Sequence, residues 1–403
     1  MAIIYCDTKI ATLKIMKFGV SVLSKINKIT VLGSGIMGHG IAQISAMNGY
    51  DVVLRDIEEK FLDNAMSKIR WSLDKMVEKN KINKQESDKI HGRIRPLVDL
   101  KEALQDTDLL IEAVPEDLKL KKKVYSEVDQ FAQEKTIYSS NTSTLPISEI
   151  SQLTNRPSRF LGLHFFNPPQ LMKLVEVIPG ANTDNSIVDL GIDFVKSLSK
   201  VPIVCNKDVP GFIVNRIFIP LVHEAAYSLE NDGKTMTEID SAVKYKLFLP
   251  MGIFELADYT GLDVIHKATI EMYLRDKKVV NPHPKIEQLF SSGKLGKKSG
   301  EGFYSYGDEN YERVPLSEEE ARRYDPIRIL SVAINNAAWL ISNGVCTRED
   351  VELALKIGMG LKKELFEIGK ENGFEKIVST LSELQEKNGS FYTPDPYLKT
   401  ISS

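Results

Sequence analysis

A histidine and a glutamate within residues 161–178 have the types and the spacing for acid–base chemistry. The stretch reads LGLHFFNPPQLMKLVEVI, with an apolar run on each side of its PPQ segment. This pattern predicts a strand, a turn near Gln170 and a second strand. His164 and Glu176 would then face each other on the same side of the sheet. A carboxylate that fixes the tautomer of an imidazole makes it a general base. The alternative is a core histidine satisfied by a neighbouring acid.

A glycine-rich turn near the start of the chain has the spacing of a phosphate-binding loop. Residues 28–56 read KITVLGSGIMGHGIAQISAMNGYDVVLRD, in which an apolar run precedes a G-x-G-x-x-G turn, a helical pattern and a second apolar run. In such a turn the first glycine allows the tight bend and the second lets a pyrophosphate approach, while the third lets the helix pack on the sheet. The predicted cofactor contacts here are Gly33, Ser34, Gly35, Ile36, Met37 and Gly38.

Asp56 ends the second apolar run and predicts which dinucleotide binds. An acid at this position accepts hydrogen bonds from the ribose hydroxyls and repels a 2′-phosphate, so it favours NAD over NADP. Arg55 beside it weakens that prediction. The alternative for the whole stretch is a glycine-rich turn without a ligand.

Apolar runs at 108–114 and 136–140 predict two more buried strands of the same sheet. Glu116 follows the first run, and Ser143 follows the second. Loops after parallel strands lie at the carboxyl edge of the sheet, where ligands bind, so both are candidate site residues. The alternative is that they cap helices. The lysine-rich segment 60–95 predicts an inserted helical pair, whose basic face is either simply solvated or a clamp for an anionic ligand.

Composition argues against several other classes of function. The net charge of −3 gives no indication of nucleic acid or an anionic membrane as partner. No apolar run approaches the roughly 18 residues of a membrane span. The histidines and cysteines lack metal-ligand spacing, so we expect no metal, and scattered cysteines suit a reducing, cytoplasmic location. Residues 1–26 predict a leader of uncertain order, without a signal-peptide cleavage site.

Five motifs in order resemble one family. They are GSGIMGHGIAQ, SSNTSTLPISEI, GLHFFNPPQLMKLVEV, KDVPGFIVNRI and GKLGKKSGEGFYSY, within about residues 28–306. Together they closely resemble the (S)-3-hydroxyacyl-CoA dehydrogenases. The resemblance implies NAD as cofactor, an acyl-CoA substrate, short-chain like 3-hydroxybutyryl-CoA, and a helical second domain that usually carries a dimer contact. The alternatives are a dehydrogenase of a free 3-hydroxy acid such as gulonate, and a non-catalytic NAD-binding structural protein.

The resemblance also implies roles for positions of this sequence. His164 would take the proton of the 3-hydroxyl and Glu176 would orient it, while Ser143 and Asn215 would hydrogen-bond the substrate oxygens. The implied cofactor contacts outside the glycine turn are Asp56, Glu116, Lys121, Ser143, Asn167 and Lys298. For coenzyme A the resemblance implies Ser72 and Lys79 on the inserted helical pair, with the lysine as a cation for a phosphate.

The last part of the chain predicts a second copy of the helical domain. With one slip near Gly344, segment 328–373 repeats the pattern of small, aromatic and glycine positions of segment 216–261. Ile327 stands where the first copy has Asn215, so the second copy lacks the asparagine of the site. We interpret it as a packing module that takes the place of a dimer partner within one chain.

The predicted fold is a Rossmann-like α/β NAD-binding domain followed by two all-α domains, the second a diverged repeat. The helical domains would resemble the C-terminal domain of 6-phosphogluconate dehydrogenase. The predicted domains are 27–210, 211–310 and 311–403, after the leader at 1–26. The subunit would be a homodimer, or a monomer if the repeat replaces the partner. No hydratase residues are present, so a separate enoyl-CoA hydratase is a candidate companion enzyme in the same pathway.

Overall fold

The computed structural model describes residues 26–307 and 315–402. The predicted leader, apart from Ile26, and the predicted boundary at 310 therefore lie outside the described residues. The described part consists of an α/β domain joined to a long helical part.

The α/β domain is built on one eight-stranded sheet. Its strands are β1 (Lys28–Leu32), β2 (Asp51–Arg55), β3 (Ile94–Leu97), β4 (Leu109–Glu112), β5 (Ile137–Ser140), β6 (Phe160–Phe165), β7 (Leu174–Pro179) and β8 (Val201–Val204). They lie in the order β3-β2-β1-β4-β5-β6-β7-β8, and all neighbours are parallel except β6 and β7. The strand order reverses next to β1, and ligands bind at the carboxyl edge at such a point. The predicted Rossmann-like sheet is confirmed.

Helices cover both faces of this sheet because its strands are apolar on both sides. They are α1 (Ile36–Met47), α2 (Glu59–Glu78), α3 (Lys84–Gly92), α4 (Leu100–Ala103), α5 (Leu118–Val128), α6 (Ile147–Ser151) and α7 (Asn185–Ser197). Ile29 and Val31 of β1 pack on the side of α1, α2 and α7, whereas Leu110 and Tyr138 belong to the core shared with the helical part. The glycine turn is thus held in place by a sheet that is packed on both faces.

The inserted helical pair is shorter than predicted. Its helices, α2 and α3, end at Gly92, and the last residues of the predicted segment 60–95 already belong to β3. β3 is an edge strand that contains Pro96 and pairs with β2 on one side. Proline is tolerated at such an edge, and the half-exposed strand carries no apolar run that the sequence pattern would show.

The described residues after β8 are mainly helical. Its α-helices are α8 (Val214–Asn231), α9 (Met236–Lys246), α10 (Ile253–Thr260), α11 (Leu262–Arg275), α12 (Pro284–Ser291), α13 (Glu318–Ala321), α14 (Ile327–Ser342), α15 (Arg348–Ala354), α16 (Leu365–Asn372), α17 (Phe374–Asn388) and α18 (Pro396–Ser402). A π-helical turn, Leu355–Met359, follows α15. We call α8 to α12 the first helical segment and α14 to α18 the second helical segment. Both segments and one face of the sheet share a single apolar core, so the domains pack as one body.

The helices after residue 326 follow the first helical set at a constant spacing. The starts of α16, α17 and α18 are separated from those of α10, α11 and α12 by one and the same offset. Thr235 and Thr347, which are related by that offset, close capping boxes at α9 and α15. Asp240 and Glu352 accept backbone N–H groups at the start of α10 and α16. These correspondences support the predicted repeat, while a common origin of the two segments stays a prediction.

Within residues 26–307 and 315–402, no helix is long and apolar enough to cross a membrane. The same described residues contain no group of three or more histidine, cysteine, aspartate or glutamate side chains that could hold a metal ion.

Candidate active site

The glycine turn between β1 and α1 has the shape that a dinucleotide phosphate requires. Gly33 has a φ of +92°, and a Cβ there would lie 2.6 Å from the Ala113 carbonyl oxygen. A Cβ at Gly38 would lie 1.8 Å from the Gly33 oxygen, so both positions demand glycine. Gly35 instead faces open space, with nothing within 4 Å of an added Cβ. The free amides at the start of α1 therefore stand beside an accessible surface that suits a pyrophosphate.

Asp56 follows β2 at the same edge and turns towards the glycine turn. Its Oδ2 accepts hydrogen bonds from the Ser34 amide at 2.7 Å and from the Ser34 hydroxyl at 2.6 Å. Arg55 points elsewhere, because its Nε donates to the Val98 carbonyl oxygen at 3.1 Å. The Asp56 carboxylate therefore lies beside the glycine turn and is not paired with the Arg55 cation. An acid at this position can bind the ribose hydroxyls of the cofactor, so these residues fit NAD.

His164 and Glu176 pair in register across β6 and β7, as predicted. His164 Nδ1 lies 2.7 Å from Glu176 Oε2, and the two side chains are almost completely buried. The imidazole also lies near two phenylalanine rings, with centroid distances of 4.6 Å to Phe166 and 5.8 Å to Phe212. When Nδ1 carries the proton donated to the carboxylate, Nε2 carries a lone pair and can act as a base.

Glu176 also joins the sheet to the helical part. Its Oε1 accepts hydrogen bonds from the backbone amides of Ile213, at 3.1 Å, and Val214, at 2.9 Å. These amides lie at the start of α8, where the helix dipole favours a negative charge. The carboxylate therefore has three donors and no freedom to rotate away from the imidazole.

Ser143 and Asn215 meet at the junction of the two domains. The Asn215 side-chain amide donates to the Ser143 carbonyl oxygen at 3.3 Å. The Ser143 amide donates to Glu116 Oε1 at 3.0 Å, and that oxygen also accepts from the Thr142 hydroxyl at 2.5 Å. Glu116 is therefore the acceptor that shapes the loop carrying Ser143, and Asp117 beside it caps α5.

A buried ion pair that sequence reasoning missed supports Glu116. Lys121 is 1% exposed, and its ammonium lies 2.7 Å from Glu112 Oε1 and 3.3 Å from Glu116 Oε2. Burial alone raises the pKa of Glu116, but the Lys121 ammonium and the hydrogen bonds from Thr142 and Ser143 outweigh it and hold the pKa below its ordinary value. Glu112 could have been noticed in the sequence, because it is an acid at the end of an otherwise apolar strand, β4.

Asn141 and Phe166 were also missed. Asn141 Oδ1 accepts the Phe165 amide at 2.9 Å and so ties the loop after β5 to the end of β6. In the sequence these two residues read as a loop polar group and an apolar strand residue, and neither type is a signal by itself.

The remaining predicted residues lie at different places. Asn167 is exposed after β6. The Ser72 hydroxyl accepts from Gln43 Nε2 at 2.9 Å, and exposed Lys79 lies two helical turns further along, at the end of α2. Lys121 is buried between carboxylates, so it contacts Glu116 rather than an open surface. The Lys298 ammonium pairs with Asp263 in the helical part, and its contact with the cofactor stays a prediction.

Comparisons with known proteins match this arrangement. Residues 28–209 match the NAD binding domain of 3-hydroxyacyl-CoA dehydrogenase, and residues 211–306 match its C-terminal domain. The human mitochondrial hydroxyacyl-coenzyme A dehydrogenase is 41% identical over 288 residues, which cover 70% of this chain and 91% of that protein. The probable 3-hydroxybutyryl-CoA dehydrogenase of Deinococcus radiodurans is 38% identical over 286 residues, covering 69% of this chain and all of that protein.

Solved structures of 3-hydroxybutyryl-CoA dehydrogenases have a similar fold. The 3-hydroxybutyryl-CoA dehydrogenase from Escherichia coli K12 has a TM-score of 0.83 at 26% identity, and the match covers 94% of this chain and 98% of that chain. This coverage extends into the helices after residue 306, which neither family model reaches. The (S)-3-hydroxybutyryl-CoA dehydrogenase from Ralstonia eutropha has a TM-score of 0.68 at 34% identity, covering 70% of this chain and all of that chain. The chain belongs to the 3-hydroxyacyl-CoA dehydrogenase family, and its α/β domain is the NAD-binding domain of that family.

Proposed function

We propose that this chain catalyses the reversible NAD-dependent oxidation of (S)-3-hydroxyacyl-CoA to 3-oxoacyl-CoA, with short acyl chains such as 3-hydroxybutyryl as substrates. The observation that carries the proposal is the His164–Glu176 pair, which lies at the carboxyl edge of the sheet that also carries the glycine turn and Asp56. The names of the human and bacterial relatives support the substrate class.

The proposed chemistry divides between a base and two positioning groups. His164 Nε2 takes the proton of the 3-hydroxyl, and the Glu176 carboxylate stabilises the imidazolium that forms. Ser143 and Asn215, joined at 3.3 Å, hold the substrate oxygens so that C3 faces the cofactor. When bound, NAD⁺ supplies the hydride acceptor. The donors from α8 keep the Glu176 side chain oriented towards His164.

The coenzyme A part of the substrate would lie along α2. Ser72, Lys68, Lys75 and Lys79 recur at helical spacing on one face of that helix. The Gln43 side chain joins Ser72 to Gln170 in the turn between β6 and β7, with distances of 2.9 and 3.3 Å. This link leads from the basic face towards the segment that carries His164, and it supports Ser72 and Lys79 as the groups that hold the coenzyme A phosphates.

One assay tests the activity and its alternatives. NADH oxidation is followed with acetoacetyl-CoA and, separately, with free acetoacetate. Turnover with the thioester alone supports the proposal, turnover with the free acid supports a hydroxy-acid dehydrogenase, and turnover with neither supports a non-catalytic protein. His164→Gln should lose most of kcat while NADH still binds; a variant with near wild-type turnover would mean that His164 is not the base.

We also propose that the chain is a monomer in which the second helical segment replaces a dimer partner. α8 packs on α14, and two reciprocal contacts support this arrangement. The Arg216 guanidinium lies 3.3 Å from the Trp339 ring centroid, and that of Arg328 lies 5.9 Å from the Tyr227 centroid. The two arginines occupy equivalent positions of the repeat, and so do the two aromatic residues, as in a two-fold interface. Sedimentation equilibrium should give a single species near 45.3 kDa. A species of twice this mass contradicts the proposal.

The cytoplasmic location stays a prediction, and the human relative carries a mitochondrial name. We also propose a separate enoyl-CoA hydratase, which would make the hydroxyacyl-CoA by adding water to an enoyl-CoA, as a companion enzyme in the same pathway. Assaying the purified chain with crotonyl-CoA checks that it does not perform the hydration itself.

A further inference from the structure

The π-helical turn Leu355–Met359 lies where the second helical segment meets the α/β domain. In the first helical segment, α9 remains α-helical through Lys246. Gly358 occupies the position of the repeat that is equivalent to Lys246, and there the helix widens into the π turn. Such turns are rare and often occur at functional sites. The two segments therefore differ in backbone and in side chain at equivalent positions.

Close packing explains the glycine at 358. A Cβ at Gly358 would lie 2.8 Å from Leu174 Cδ2, 3.2 Å from Val214 Cγ2 and 3.8 Å from Phe166 Cε1. Gly358 does not have a positive φ, so its backbone conformation is open to any residue. Glycine is favoured because a Cβ would crowd Leu174 and Val214, whereas its 3.8 Å distance to Phe166 is ordinary van der Waals contact.

These three side chains each adjoin the His164–Glu176 pair. The Phe166 ring lies 4.6 Å from the His164 ring, between centroids. Leu174 precedes Glu176 by two residues on β7, so both point to the same face of the sheet. The Val214 amide donates to Glu176 at 2.9 Å. A side chain at position 358 would therefore press on two neighbours of Glu176 and reach the ring that lies beside His164.

The second helical segment is firmly attached beside this contact. The Asn206 amide, just after β8, donates to the Val345 carbonyl oxygen at 2.8 Å. The Arg216 guanidinium packs on Trp339 at 3.3 Å in the core between the segments. These contacts attach the second helical segment to the chain after β8 and to α8.

We propose that Gly358 is a positioning residue for the active site. Glycine at 358 lets Leu174 and the start of α8 at Val214 stay close beside Glu176. The Glu176 carboxylate in turn fixes the plane of the His164 ring and the direction of Nε2. The second helical segment, which lacks the site asparagine, thereby contributes to the geometry of the reaction. This inference rests on the proposed function for the role of His164.

Gly358→Ala tests the proposal. The added methyl meets Leu174 and Val214, the neighbours of Glu176, and displaces them. We expect kcat with acetoacetyl-CoA and NADH to fall about 10- to 100-fold, as for a base misplaced by a fraction of an ångström. KM for both substrates should change less than about threefold, because neither the glycine turn nor α2 is disturbed. Adding Leu174→Val removes the atom that the new methyl meets, so the double variant should recover most of kcat.

Gly369→Ala is the matched control. A Cβ there would lie 2.5 Å from Ile334 Cδ1 and 2.9 Å from Phe374 Cε1, so it creates a similar clash wholly within the second helical segment. We expect this variant to unfold at a lower temperature but to keep its kcat. An equal loss of kcat in the control, or an unchanged kcat in Gly358→Ala, overturns the proposal.

A spectroscopic measurement separates failure of this inference from failure of the proposed function. The six histidines give resolvable Cε1–H resonances, and His164→Gln assigns the one of His164. Because the Phe166 ring current acts on it, that resonance should move in Gly358→Ala, return in the double variant and stay in Gly369→Ala. An inactive wild type refutes the function, whereas an unmoved resonance in Gly358→Ala refutes the positioning role.

Discussion

Replacing Glu176 by glutamine tests the arrangement on which the proposed mechanism depends. The carboxylate has one oxygen 2.7 Å from His164 Nδ1 and the other within reach of the Ile213 and Val214 amides. A carboxamide has the same shape but only one accepting end. If its oxygen faces the two amides, its NH₂ faces Nδ1, which must then accept a hydrogen bond. The ring proton moves to Nε2, and the base is lost.

The size of the effect follows from the burial of the pair. Glu176 is 0% exposed, so no water can replace the lost interaction. Removing one partner from a buried charged pair costs about 3–5 kcal/mol. At about 1.36 kcal/mol per tenfold change in rate, this corresponds to a loss of about 10²- to 10⁴-fold in kcat. A histidine held in the wrong tautomer in a serine protease loses about 10⁴-fold, which agrees with the upper end.

The assay is steady-state NADH oxidation with acetoacetyl-CoA, together with NADH binding followed by its fluorescence. We expect kcat of Glu176→Gln to fall by the stated factor while the Kd for NADH stays within about twofold, because the glycine turn and Asp56 are untouched. Glu352→Gln is the control, since Glu352 likewise accepts two backbone amides but lies at α16. If Glu176→Gln keeps more than about a tenth of wild-type kcat, Glu176 does not orient the base.

Three further predictions concern the Ser143 loop, the cofactor site and the coenzyme A site. The pKa of Glu116 lies below its ordinary value of 4.5, so the ionised carboxylate stabilises the fold above pH 4.5, and this contribution is lost as the pH falls through the lowered pKa. Glu116→Gln should therefore lower the urea midpoint of unfolding at pH 7, and the difference from wild type should shrink below pH 4.5. Asp56→Ala removes the hydrogen-bond acceptor for the ribose and should raise the Kd for NADH about 10- to 100-fold. The ratio of the Kd for NADPH to the Kd for NADH should become smaller, as measured by fluorescence titration with each dinucleotide. Lys79→Ala should raise KM for acetoacetyl-CoA up to about fivefold, as for one exposed ion pair, and leave KM for the N-acetylcysteamine thioester unchanged. Trp71 on α2 is 65% exposed beside Ser72, so quenching of its fluorescence by coenzyme A should weaken in the same variant.

Several features of this chain could be predicted from short stretches because their causes are local. The glycine turn depends on the φ of Gly33 and on the missing Cβ of Gly38, which the residue types already express. The His164–Glu176 register follows from the strand period and from a turn near Gln170. Polar residues after apolar runs mark the carboxyl edge of a parallel sheet, so Ser143 and Glu116 could be placed there from sequence alone.

Other features were decided only by the tertiary structure. Sequence alone indicated neither that Lys121 is buried between two carboxylates nor that Glu116 shapes the Ser143 loop, because both depend on side chains from separate strands and loops meeting in the core. The donors to Glu176 come from α8, in the other domain. The glycine at 358 is explained in part by the approach of Leu174, which lies far earlier in the chain, in the α/β domain. Local patterns thus determined the elements and the candidate base, and long-range packing determined what holds that base in place.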